Sequence, residues 1–155
     1  MKALTPLCFL TVLMALSSCA KEDLATPIDS LIFGHFYGEC TGERCIETYK
    51  VEDDKLYEDV LDRYAGGDHQ NFAFQPLPGN LLMQIPDLAS LLPGQLYQTD
   101  STIGIPDAGD WGGIYVQVRQ QGVTRWWLID KAEGNLPDWL IPFKQEVENA
   151  IEKLP

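Results

Sequence analysis

The chain reads as an α+β protein, a mainly antiparallel sheet of about five to six short strands packed by one C-terminal amphipathic helix. Three observations predict it. Segments 31–40, 45–51, 113–119 and 123–130 are rich in aromatic and β-branched residues and alternate along the chain, the period of a half-buried strand. Glycine, proline and acidic breakers separate them. The last segment carries Leu140, Phe143, Val147, Ala150 or Ile151, and Leu154, the stripe of a helix with one buried face.

The first strand is LIFGHFYGEC, with Ile32, Gly34 and Phe36 on one face and Phe33, His35 and Tyr37 on the other. After the turn TGER, Cys45 to Val51 returns, and Glu52-Asp53-Asp54 turns into a short third strand at Lys55-Leu56-Tyr57. Residues 59–70 are polar, with Gly66-Gly67 marking a loop, and Asn71 to Gln75 forms a further strand around Phe72 and Phe74. Prolines 76, 78, 86 and 93 then punctuate the chain. Asp87 to Leu92 makes a helical turn or two, opened by Pro86 and closed by Pro93-Gly94. Gly113 to Arg119 and Val123 to Asp130 form a hairpin about Gln120-Gln121-Gly122. The final helix begins near Pro137-Asp138 and runs to about Lys153, with Pro142 either kinking it or marking its first turn.

The residues before this body carry an address. Lys2 precedes a mostly apolar run, Ala3 to Leu16, which is shorter than the roughly 20 residues of a transmembrane helix and suits a secretory leader. Leu16-Ser17-Ser18-Cys19 places two small residues before a cysteine, the setting for cleavage and diacylglycerol attachment to the thiol. Residues 1–18 are therefore expected to be a removed signal peptide, 19–30 a lipidated cysteine and flexible tether, and 31–155 one globular domain. Membrane association is expected through lipid on Cys19, because each buried methylene contributes about 0.8 kcal/mol and two or more acyl chains hold stably. Lys21-Glu22-Asp23, just after that cysteine, resembles the surface-export signal of Bacteroidetes-type lipoproteins. The resemblance implies a surface-exposed outer-membrane lipoprotein carrying palmitate-type acyl chains.

The charge narrows the partners. The sequence has 11 lysines and arginines against 23 acids, a net −12, and losing Lys2 with the leader makes it −13. So acidic a surface repels phosphate backbones and anionic headgroups. No nucleic-acid partner is expected, and the body should stand off the membrane. Cys8 lies in the leader and Cys19 takes the lipid, which leaves Cys40 and Cys45 as a disulfide in an oxidising compartment. Their four-residue spacing is not the two-residue spacing of zinc knuckles and redox motifs.

The FGHFYGEC…C hairpin, the segment Gly104 to Tyr115 and the Leu136-Pro137 ending with its amphipathic helix resemble a group of small uncharacterised lipoproteins of Bacteroidetes-type bacteria. That likeness implies fold and location and brings no activity.

Candidate site residues are few. Gly104 to Gly113 (GIPDAGDWGG) sets Asp107 and Asp110 among four glycines. Two carboxylates with close backbone carbonyls suit a hard cation such as calcium, although the spacing is not that of an EF-hand. The alternative is a structural loop in which Asp107 caps a turn. His35 faces Glu47 across the first hairpin, a candidate base–acid pair or metal corner, and Asp68-His69 would have to fold back to complete a two-histidine site. Trp126 and Trp127 are adjacent on a strand, so one ring points inward and one outward, and Trp111 lies in the glycine-rich loop. Exposed indoles stack on sugars or anchor protein partners. No serine-nucleophile motif or phosphate-cradling loop occurs. The reading favours a membrane-anchored, non-catalytic binding or accessory module, with an envelope protein or a glycan as partner and no obligatory cofactor. The alternative is a small envelope hydrolase or metal-dependent enzyme using Asp107, Asp110 and His35.

Overall fold

A computed structural model describes residues 27–40, 42–65 and 71–155. The fold is α+β. One seven-stranded sheet runs in the order β4-β3-β2-β1-β6-β7-β5. Its strands are β1 (Ser30–Phe36), β2 (Ile46–Glu52), β3 (Lys55–Asp59), β4 (Phe74–Pro76), β5 (Thr102–Ile103), β6 (Gly113–Gln120) and β7 (Val123–Asp130). All neighbours pair antiparallel except β5, which joins β7 parallel through Thr102↔Leu128 and Ile103↔Ile129. Two short helices, α1 (Gly79–Leu82) and α2 (Leu88–Leu91), precede the long C-terminal α3 (Ile141–Glu152).

The alternation expected in β1 holds, and it divides the core in two. Leu31 and Phe33 point to the face where Tyr49, Ile114, Val116, Trp127 and Ile129 gather. There α3 contributes Phe143, Val147, Ala150 and Ile151, and the 77–103 segment adds Leu88, Leu92 and Leu96. Ile32 and Phe36 point to the opposite face, with Tyr115 and Leu128, covered by Ala65, Phe72 and Phe74 from the 60–74 segment. Gly34 in central β1 is required by close approach, since a Cβ there would lie 2.1 Å from the Glu47 carbonyl oxygen.

Several boundaries differ from the sequence reading. The fold starts before Leu31: Ile28 packs on the core, Asp29 N–H donates to the Arg119 carbonyl and Ser30 is buried in β1. Residues 28–30 thus belong to the start of central β1 and to the core rather than to the tether. β3 continues to Asp59, and the strand expected at 71–75 is shifted to Phe74–Pro76. Proline is tolerated there because β4 is an edge strand. α3 begins at Ile141 because Pro137 to Leu140 closes a turn first, Leu140 N–H donating to the Pro137 carbonyl. Pro142 therefore occupies the first helical turn, where a missing N–H costs nothing.

Candidate functional site

The strand register puts Phe36, Ile46, Asp59, Gly113 and Asp130 at one end of the sheet. Most of the polar residues singled out from the sequence collect around that end. Cys19 and Lys21-Glu22-Asp23 lie outside the described residues, as does Asp68-His69.

The glycine-rich loop is built on Asp107. Its backbone is left-handed (φ 61°), a conformation aspartate tolerates. Its Oδ1 accepts from the N–H groups of Gly112 at 3.0 Å and Gly38 at 3.2 Å, while Oδ2 accepts from the Tyr64 hydroxyl at 2.7 Å. Its own N–H donates to the Gly112 carbonyl at 2.8 Å. One carboxylate thus ties together the exit of β1, the 60–65 segment and the entry to β6. Both lone pairs of Oδ1 are in use, so a cation at Asp107 has only the remaining lone pair of Oδ2. Burial, and then the hydrogen bond to Asp107, push the Tyr64 phenol up to about 12. Asp110 is exposed and sits close enough for its charge to act on the same phenol. Among the described residues no group of three or more His, Cys, Asp or Glu side chains converges as a metal site.

The three tryptophans part company. Trp111 is 75 % exposed, its indole edge lying over Gly109. Trp126 is half-buried on the face of Tyr115 and Leu128. Trp127 is 2 % exposed, and its indole N–H donates to the Leu96 carbonyl at 3.1 Å. Trp127 is therefore a core residue and leaves the set of candidate contacts. Alternation requires one ring of the pair to enter the helix-covered core, and the even-numbered positions of β7 face the other side.

His35 and Glu47 are register partners, as the hairpin predicts. Their polar atoms nevertheless have other partners. His35 Nε2 lies 3.1 Å from the Arg44 carbonyl, and Glu47 Oε2 lies 3.1 Å from the Tyr49 hydroxyl. Burial, together with the charges of Lys131 and Arg44, holds the imidazole below its ordinary range despite that carbonyl and Glu148. The disulfide Cys40–Cys45 closes the neighbouring turn, with Cα atoms 5.5 Å apart.

Sequence reasoning missed a second feature of this end. Arg44, Glu47, Glu58, Asp59, Val60, Asp62 and Pro155 line a cleft of about 560 Å³ beside the ends of β2 and β3. Glu47 is 5 % exposed. Burial first, with Glu58 and Asp62 adding to it, raises its carboxyl above the ordinary range against the pull of Tyr49 and Arg44. One signal was present. Glu47 alternates with Tyr49 and Val51 on the core-facing side of β2, where a carboxylate is out of place.

Asp130, 3 % exposed, latches the other flank. It accepts from the N–H groups of Ile105 and Ala132, both at 2.8 Å, and from the Asn135 amide at 2.7 Å. Lys144 on α3 is buried against Glu148 at 3.1 Å and Glu133 at 3.6 Å.

Comparison of the chain with models of protein families, with curated proteins and with solved structures finds no match.

Proposed function

We propose that this chain is a bacterial envelope lipoprotein, held by lipid on Cys19, whose body is a non-catalytic binding or accessory module working through the Trp111 loop. The observation that carries this reading is Trp111 itself: a three-quarters exposed indole on a loop latched by Asp107. A large rigid side chain held in place loses little entropy on contact, which is how interface anchors act. Exposed Asp110 beside it offers a carboxylate to hydroxyl or amide donors. The partner is an envelope protein or a glycan.

The direction of the chain supports the same reading. The chain enters the sheet at Ser30, which pairs with Glu52 and Arg119 at the end opposite to Gly113. The seven residues of β1 span about 20 Å. A tether from Cys19 therefore reaches the domain at one end and the Trp111 loop faces away from the other. The leader and Leu16-Ser17-Ser18-Cys19 support lipidation, the disulfide suits an oxidising compartment, and Lys21-Glu22-Asp23 supports display at the cell surface.

Cys19→Ala should release the protein from sedimented membranes, and alanines at Lys21, Glu22 and Asp23 should protect it from protease added to whole cells. Partners crosslinked on cells should be lost with Trp111→Ala and kept with Trp126→Ala. Retention of every partner by Trp111→Ala would sink the loop as the contact.

A further inference from the structure

We propose that segment 77–97 is a membrane-contact surface, which rests on the zwitterionic headgroup region of the bilayer that holds the chain. The inference rests on anchoring through Cys19 and is independent of the Trp111 loop.

The charge of the body is unevenly spread. In a chain that is 22 % charged, Asp87 is the single charged residue between positions 71 and 99. Its carboxylate caps α2, accepting from the Ser90 N–H at 3.3 Å. The segment is nevertheless not all interior. Met83 is 82 % exposed and Leu91 45 %, and Leu81, Leu82 and Ile85 are only partly buried. Beside them Leu31, Val51, Leu82, Ile85 and Leu88 wall an apolar depression of about 240 Å³, with Asp54 and Asp87 also lining it. Single exposed apolar side chains are ordinary. Joined to a charge-depleted stretch and an apolar depression, they mark a contact surface.

The place of the segment names the occupant. It lies over the half of the sheet where the chain enters. Leu77 N–H donates to the Leu56 carbonyl, and Leu56 pairs with Val51, which pairs with Leu31. At the other end of the segment the Tyr97 hydroxyl donates to Gln120 Oε1 at 3.3 Å, and its carbonyl accepts from Arg125 at 3.3 Å. Gln120 and Arg125 flank Arg119, the partner of Ser30, in the β6–β7 hairpin. Residues 19–26 stand between the lipidated cysteine and Pro27, and fully extended they span at most about 29 Å. A protein partner or a second copy on this face would have to share that gap with the anchor, whereas the bilayer is already held there. Tethering makes the contact intramolecular, so a few apolar side chains are enough to populate it. Exposed Asp29, Asp53 and Asp54 border the same end and repel an anionic surface, which selects zwitterionic headgroups.

The test uses the full lipidated chain in phosphatidylcholine vesicles, with a nitroxide on Met83→Cys, Leu91→Cys or Val60→Cys. With Cys19 blocked by lipid and Cys40 joined to Cys45, the introduced cysteine is the one free thiol of the mature chain. Electron paramagnetic resonance reads collisions of each label with oxygen, which concentrates in hydrocarbon, and with a water-soluble nickel chelate. Labels at 83 and 91 should be shielded from the chelate and reached by oxygen. The label at 60, a 52 % exposed position at the opposite end, should be open to the chelate. Met83→Asp should lower the docked population, read as shielding at position 91, by about tenfold or more, the factor that burial of one methionine supplies. Phosphatidylglycerol added at low salt should lower it too. Labels at 83 and 91 as open as the label at 60, on a chain that still floats with the vesicles, overturn the contact and leave the anchor standing. A chain that does not float overturns both. Shielding accompanied by spin–spin broadening identifies a second copy as the occupant and overturns the proposal. Shielding unchanged by Met83→Asp, or strengthened by phosphatidylglycerol, overturns it as well.

Discussion

Asp107→Ala removes the side chain that joins three separate segments, and its cost can be worked from the contacts. Three hydrogen bonds are lost, from Gly38 N–H, Gly112 N–H and the Tyr64 hydroxyl. On a half-buried loop they contribute toward the low end of the usual range, and alanine is then left at φ 61°, so the sum is about 3 kcal/mol. With a urea slope typical of a small domain, the unfolding midpoint should fall by about 1.5 M. Asp107→Asn is the informative partner. Asparagine tolerates the left-handed backbone, its carbonyl keeps both N–H donors, and its amide can donate to the Tyr64 oxygen, so about 1 kcal/mol is lost. The Tyr64 titration, followed by ultraviolet absorbance, gives an independent readout. Its phenol is pushed up to about 12 by burial and then by Asp107, so Asp107→Ala should bring it down toward the ordinary value of about 10. Equal stability of the two variants, or an unmoved Tyr64 titration in Asp107→Ala, would refute the latch.

Replacing Cys40 and Cys45 together by serine opens a loop of sequence separation five and should cost about 2 kcal/mol in chemical denaturation, the same loss that reductant causes in the native chain. Gly34→Ala forces a Cβ to within 2.1 Å of the Glu47 carbonyl oxygen between two central strands, and thermal unfolding should show a loss of about 2 kcal/mol or more. Trp127→Ala should cost about 3–5 kcal/mol through the cavity it leaves in the core, while Trp126→Ala on the less covered face costs clearly less by the same assay. Burial pushes the Asp130 carboxyl up, but the Ala132 N–H, the Asn135 amide, the Ile105 N–H and the Lys144 charge outweigh it and hold it below the ordinary range. The folded state therefore binds this proton less readily than the unfolded chain. The resulting stability is complete above the unfolded value of about 3.9 and is lost as pH falls through the lower folded value. Asp130→Asn should flatten the acid limb of urea midpoints between about pH 5 and 2, and an unchanged limb would count against the assignment.

What the sequence revealed, and what it hid, follows from which signals are local. β1, the β6–β7 hairpin and the α3 stripe were legible because each repeats its own period over seven or more residues. β5 was not, since two residues paired parallel to β7 have no period at all. The start of the folded body has no local signal, because Ile28, Asp29 and Ser30 gain their places from Arg119 and the core rather than from neighbours in sequence. The Trp111 loop was legible from its glycines and acids. That Trp127 rather than Trp126 is buried depends on which face α3 covers, and alternation alone does not encode it. The acidic cleft was hidden for the same reason. Its residues come from a turn, two strand ends and the chain end, and only strand pairing unites them.

The two ends of the sheet are chemically different, and the difference bears on the proposed anchoring. At the end where the chain enters, Glu52 is matched by Lys50 at 2.8 Å and by Arg119 at 3.0 Å. At the opposite end Asp107 and Asp130 hold loops, and Glu47, Glu58, Asp59 and Asp62 line the cleft with Arg44. A strongly acidic end nearest an anionic bilayer would be repelled and would strain the tether, whereas at the far end it faces solvent. With a Debye length near 8 Å at physiological salt, the roughly 20 Å length of β1 would screen that end from the headgroups under the proposed anchoring. On the proposed reading, the lipid tether and the Trp111 loop fall at opposite ends of β1.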